Sequence, residues 1–194
     1  MVRYSIVILN YDPEHRMTEL LNKCLQGIIK NSKKYEEDYE LILINNVDGY
    51  PNAVNEGFKR CKGNFLIHLH NDAEVEDPDW LEKLEDPENI TGWRLMPFGC
   101  NLPDCPDGAC WCMSRKVFEK IGFMDPQFSE GYGWEDGDYW MRATQGGIKF
   151  KDAKVKLIHH DNKTFENYHP NEFLKLYNKN KQLFKCKWRE QLNI

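Results

Sequence analysis

The sequence predicts an α/β domain with a mostly parallel central sheet flanked by helices. Two observations carry this prediction: short, continuous apolar runs that end on polar residues, and amphipathic stretches placed between those runs. Strands covered by helices on both faces read as unbroken β-branched runs, as a parallel sheet requires. At 194 residues the chain has the size of one domain. With 41% apolar and 29% charged residues it has the balance of a globular protein rather than a disordered one.

The elements follow in order. Ile6-Val7-Ile8-Leu9 is a first strand that stops at Asn10-Tyr11-Asp12. Met17, Leu20, Leu21, Cys24, Leu25, Ile28 and Ile29 then recur at the three-and-four spacing of an amphipathic helix. Leu41-Ile42-Leu43-Ile44 is a second strand closing on Asn45-Asn46, and residues 52–61 make a helix stopped by Lys62-Gly63. Residues 64–69 form a third strand running into His70-Asn71-Asp72, after which Pro78 opens a helix carrying Trp80, Leu81 and Leu84. From 85 to 107 the pattern breaks into Pro, Gly, Asn and Asp, and only 93–96 is apolar, which reads as loops around an edge strand. Residues 109–113 are a strand, 115–121 a helix ended by Gly122, 135–144 a helix ended by Gly146-Gly147, and 155–158 a strand. The tail reads as a terminal helix with a basic, solvated face built from Lys175, Lys179, Lys181, Lys185, Lys187 and Arg189.

Composition excludes several classes. The apolar runs fall far short of the ~20 residues a membrane-spanning helix needs, so no transmembrane segment is expected. The 26 basic and 31 acidic residues give a net charge of -5, which offers nucleic acid no general attraction, and no nucleic-acid partner is expected. The first residues lack the apolar core of a secretory signal, and seven cysteines cannot all pair, so free thiols and a cytoplasmic location are expected. Cys100, Cys105, Cys110 and Cys112 cluster, but without the C-x2-C knuckles of zinc sites they read as small core residues.

In open α/β sheets ligands bind beyond the carboxyl ends of the strands, so Asn10 to Asp12, Asn45 to Asp48 and His70 to Glu74 are expected to face one cleft. Asp72 and Glu74 leave the third strand at alternate positions and offer oxygens to a divalent cation, whereas Glu76, Asp77 and Asp79 suit helix caps. Gly131-Tyr132-Gly133-Trp134-Glu135-Asp136-Gly137-Asp138 sets three carboxylates at a helix start, between aromatics that can desolvate a general base. His159-His160 follows a strand-like run and can complete a metal site, while His68 and His169 are less informative. The chain has no P-loop, dinucleotide fingerprint or hydrolase elbow.

Taken together, these pieces resemble the GT-A fold nucleotide-sugar glycosyltransferases of family 2, in particular the rhamnosyltransferase-like branch. Residues 4–11 are similar to that family's opening strand, and Leu43-Ile44-Asn45-Asn46 to its second. Leu69-His70-Asn71-Asp72-Ala73-Glu74-Val75 resembles the DxD region, residues 109–115 the acceptor-side segment, and Gly133-Trp134-Glu135-Asp136-Gly137-Asp138 with Arg142 the E-D motif. The resemblance implies a nucleotide-binding half over 1–84, an acceptor and catalytic half over 85–165, and a C-terminal helix over 166–194. It implies Asp136 as catalytic base. Asp72 and His159 would hold Mn2+ or Mg2+, with His160 as the fallback, and Trp134 and Glu135 would lie near the sugars. Leu9, Asn10, Tyr11, Asn45, Asp48, Asn55, His70 and Asn71 are implied at the nucleotide. One departure is that His70 replaces the first acid of DxD; an imidazole can ligate manganese or bond a ribose but brings no negative charge. The activity implied is inverting transfer from a UDP-, GDP- or dTDP-sugar to a glycan acceptor, as in polysaccharide biosynthesis. A non-catalytic glycan- or nucleotide-binding module on the same fold is the alternative.

Overall fold

The computed structural model describes residues 2–99, 102–160, 163–168 and 171–192. Cys100 and His169 lie outside the described residues. The strands are β1 Tyr4–Asn10, β2 Tyr39–Asn45, β3 Phe65–His70, β4 Ala73–Val75, β5 Ile90–Gly92, β6 Leu95–Met96, β7 Cys105–Pro106, β8 Cys110–Ser114, β9 Phe150–Asp152 and β10 Leu157–His159. The helices are α1 Thr18–Asn31, α2 Tyr50–Arg60, α3 Trp80–Leu84, α4 Arg115–Ile121, α5 Glu135–Gln145, α6 Lys163–Tyr168, α7 Phe173–Lys187 and α8 Arg189–Leu192.

Six strands form the main sheet in the order β2-β1-β3-β8-β5-β9. β1 pairs in parallel with β2 and β3, and β5 with β9, while β8 runs antiparallel to β3 and β5. Within this sheet every strand except β8 therefore points the same way. Along β1 the side chains alternate between the two faces, as the two-residue period of a strand dictates. Tyr4, Ile6 and Ile8 enter a core with Ile28 of α1 and with Trp80 and Leu81 of α3. Val7 enters the opposite core with Val54 and Phe58 of α2 and with Tyr139 and Trp140 of α5. Both faces are covered, which is why the strand reads as a continuous apolar run.

Three expectations change. Residues 85–107 hold more than loops around an edge strand: β6, within the 93–96 run, pairs with β7 alone, but β5 lies inside the main sheet between β8 and β9. At three residues, ending on a Gly92 whose added Cβ would meet the Arg94 carbonyl and Pro106 at 2.8 Å, β5 is too short to show a period. The 155–158 run becomes β10, which leaves the main sheet to pair antiparallel with β4. The single C-terminal helix is replaced by α6, α7 and α8; Phe184, Trp188 and Leu192 form a third apolar cluster with Phe128 and Met141. Cys105, Cys110 and Cys112 are buried free thiols, and no described helix is long and apolar enough to cross a membrane.

Candidate active site

The carboxyl ends of β1, β2 and β3 open into a cleft of about 520 Å³, closed on the far side by the loop before α5 and by the C-terminal segment. Amides stitch these strand ends together. Asn71 Nδ2 donates to Asn10 Oδ1 at 2.7 Å, and Asn10 Nδ2 donates to Asn45 Oδ1 at 2.9 Å.

At one end of the cleft the β4–β10 register sets His159 opposite Ala73, beside Asp72. His159 Nε2 lies 3.2 Å and His70 Nδ1 3.9 Å from Asp72 Oδ1. Ligand atoms from these three residues lie within 4.8 Å of one another, and all three side chains line the cleft. Burial pushes the Asp72 carboxyl up, but the hydrogen bond from His159 and the nearby imidazoles outweigh it, so the group stays below the usual carboxylate range. Two imidazoles and one ionised carboxylate suit a divalent ion such as Mn2+, and the donor set fits. His160 is turned away, with Nε2 2.7 Å from Glu74 Oε1.

At the other end stand Glu135 and Asp136 in the first turn of α5. Trp134 takes the left-handed conformation there (φ 70°) after Gly133 (φ 67°), a position that costs a bulky residue about 1 kcal/mol or more. Its ring pays that cost by packing on Phe98, Tyr177 and Phe184, with centroids 5.1–5.8 Å away. Burial pushes both neighbouring carboxyls up. Repulsion from Asp136 adds to the effect on Glu135, and Asp107 adds to that on Asp136. Asn180 of α7, fully buried, donates to Glu135 Oε2 at 3.2 Å and to the carbonyls of Phe128 and Gly133.

Leu9, Asn10, Tyr11, Asp48, His70, Asn71, Asp72, Glu135, Asp136 and His159 therefore share the cleft, as the sequence suggests. Asn45, Asn55 and Trp134 do not line it. Asn45 serves Asn10, and the Trp134 ring faces α7. Asn55 is a backbone clamp: its Nδ2 donates to the Met124 carbonyl and its Oδ1 accepts the Met124 N–H, both at 2.9 Å. His70 joins the candidate metal ligands rather than only the nucleotide contacts. Tyr50, Ser129, Lys163, Glu172 and Leu176 also line the cleft. No motif marks them, because the packing of α2 and of the C-terminal helices brings them there.

A sequence model described as "Glycosyl transferase family 2" matches residues 25–87. The O-antigen biosynthesis protein RfbC of Myxococcus xanthus is 27% identical over 58% of this chain, which spans 12% of RfbC. Among solved structures, the catalytic domain of Drosophila β1,4-galactosyltransferase 7 in complex with xylobiose superposes with TM-score 0.66 at 17% identity, over 87% of this chain and 74% of that chain. A mutant of the same enzyme complexed with manganese, UDP-Gal and xylobiose gives TM-score 0.65 at 17% identity, over 88% and 74%. With the strand order, the paired acids on α5 and the His-Asp-His group all in place, the chain is built on the GT-A fold and is similar to glycosyl transferase family 2 over residues 25–87.

Proposed function

We propose that this domain moves a sugar from a nucleoside-diphosphate-sugar to a hydroxyl of a glycan acceptor, with inversion at the anomeric carbon and Asp136 as general base. The observation that carries the reading is where Asp136 stands. It forms part of the wall of the 520 Å³ cleft and also of a second pocket of about 240 Å³, lined by Phe98, Pro106, Asp107, Gly108 and Trp140 among others. The larger volume suits a nucleotide-sized ligand. An acceptor hydroxyl entering from the smaller pocket reaches the carboxylate as it reaches the donor. Asp136 takes the hydroxyl proton while that oxygen bonds to the anomeric carbon and the bond to the diphosphate oxygen breaks. A single displacement from the opposite face inverts the configuration.

A positioned base contributes roughly 10²- to 10⁴-fold. Its raised affinity for a proton, caused by burial, suits the task near neutral pH. Glu135, held by Asn180, is placed to bond sugar hydroxyls, and Tyr11 with Asp48 lies where a nucleobase N–H finds an acceptor. His70, Asp72 and His159 would hold Mn2+ or Mg2+, which when bound supplies positive charge against the departing diphosphate. The galactosyltransferase neighbour that holds manganese, UDP-Gal and xylobiose supports this assignment.

The test is a thermal-shift panel of UDP, GDP, dTDP and CMP with and without manganese, since a ligand of the native state raises stability by RT ln(1 + [L]/Kd). One nucleoside diphosphate is expected to stabilise the protein. Its sugar is then expected to be transferred by the wild type and not by Asp136→Asn. No shift with any nucleotide would leave the glycan-binding module as the better reading.

A further inference from the structure

Asn180 stands in the middle of α7 with none of its surface exposed. A buried amide is costly unless its hydrogen bonds are met, and asparagine is a poor helix former, so its presence there calls for partners. It finds them outside its own helix. Nδ2 lies 2.9 Å from the Gly133 carbonyl, 3.0 Å from the Phe128 carbonyl and 3.2 Å from Glu135 Oε2. These acceptors fix which way the amide points, because the reversed amide would set Oδ1 against two carbonyls and a carboxylate. Oδ1 faces Gly131 instead and meets no donor among the described residues. A Cβ at Gly131 would lie 2.0 Å from that oxygen. Gly131 has φ -129°, which any residue adopts, so the amide and not the backbone excludes a side chain there.

The turn that receives these bonds has little of its own to hold it. Gly133 and Trp134 are both left-handed, and Trp134, at the N-cap of α5, makes no side-chain cap hydrogen bond. α7 supplies the restraint: besides the amide, the carbonyl of Leu176, one turn before Asn180, accepts the Tyr132 N–H at 3.2 Å. The strand-end side of the cleft is tied without α7, through the amides of Asn71, Asn10 and Asn45.

We infer that Asn180 is a positioning residue for Glu135: its amide fixes the carboxylate at the head of α5 and the turn that carries it, and so makes α7 part of the site. That this carboxylate meets a sugar rests on the transferase reading; the three hydrogen bonds do not. Loss of the amide therefore separates the two halves of the ligand. The sugar is misplaced while the nucleotide stays bound.

Two substitutions disturb the amide by different routes: Asn180→Ala removes it, and Gly131→Ala keeps it but pushes it off its acceptors. The donor is the sugar form of the nucleoside diphosphate that stabilises the wild type. Each variant is expected to lower kcat for transfer about 10- to 100-fold, the range set by one hydrogen bond to a charged group. Kd for the bare nucleoside diphosphate is expected to stay that of the wild type. In the Asn180→Ala background, Gly131→Ala is expected to cost nothing further, because the space it needs is empty. Any of three results overturns the inference: a folded Asn180→Ala that transfers like the wild type, losses that multiply in the double variant, or nucleotide affinity falling as far as kcat. A second readout needs no donor. Amide hydrogen exchange over 131–136 is expected to speed in Asn180→Ala by more than exchange in β1 and β3, and no excess over those strands overturns the inference. If Asn180→Ala does not fold, the side-chain amide of the wild type decides: its ¹H–¹⁵N signals are expected to exchange slowly with solvent, and rapid exchange overturns the inference. Faster exchange in the turn of a protein that binds no nucleotide would defeat the transferase reading and leave the positioning role standing.

Discussion

A methyl group at position 108 tests how closely Asp136 is set. Gly108 lies just before β8 and outside the left-handed region, so its backbone accepts alanine. A Cβ there would nevertheless sit 2.7 Å from Asp136 Oδ2, where ordinary contact is 3.4–4 Å. The carboxylate must retreat by about 0.7 Å or more, the difference between those distances. Because the clashing atom ends a side chain that can swing, the fold is expected to lose less than ~1 kcal/mol. Chemistry tolerates less: a displacement of ~1 Å at a reacting group costs about 10²-fold, or about 2.7 kcal/mol of barrier. Gly108→Ala is expected to lower kcat by about that factor, in a transfer assay with the donor chosen from the nucleotide panel, while the donor KM and the Tm change little. A wild-type kcat at unchanged Tm would refute the idea that this wall sets the carboxylate. A large fall in Tm would refute the idea that the side chain absorbs the clash.

Because burial raises the Asp136 carboxyl above its unfolded value, the native state holds that proton longer, and stability declines as pH climbs from about 4 through the folded midpoint. Asp136→Asn lacks this cost: by urea unfolding it should gain on wild type from pH 4 to pH 8, by about 1.4 kcal/mol per unit of elevation, and lower stability at pH 8 would contradict the assigned direction. Asn55→Ala leaves the Met124 N–H and carbonyl without partners and is expected to cost about 2–4 kcal/mol in denaturant unfolding. Nucleotide affinity of the folded protein should not change; a loss of affinity without a loss of stability would restore Asn55 to the nucleotide site. Asp72→Ala should abolish the manganese-dependent part of the nucleotide thermal shift and keep the rest. His160→Ala should keep both, because His160 is engaged with Glu74, and the reverse pattern would exchange the two histidines' roles.

The first three strand-helix units, Asp72 at a strand end and the acids on α5 are legible in the sequence because each rests on local order. Apolar runs buried on both faces and helical spacing are properties of neighbours along the chain, and so is a carboxylate cluster bounded by glycines. β5 escapes notice because three residues ending on glycine display no period, and its place inside the sheet depends on β8 and β9 arriving from elsewhere.

The side chains that share the cleft divide along the same line. The sequence by itself determined the residue types able to do the chemistry: one strand-end acid, a pair of histidines, and acids at a helix start. Only the tertiary structure decided which of them meet. The β4–β10 register selects His159 over His160 and brings in His70, and packing turns Trp134 away and spends Asn55 on Met124. Tyr50 joins the cleft wall, its hydroxyl against His68, because α2 and β3 converge there. The physical reason is one of range: propensity and hydrophobic period act over a few residues, whereas a site is a set of distances between residues far apart in the chain, such as Leu9 and His159, fixed only when the two cores close over the sheet.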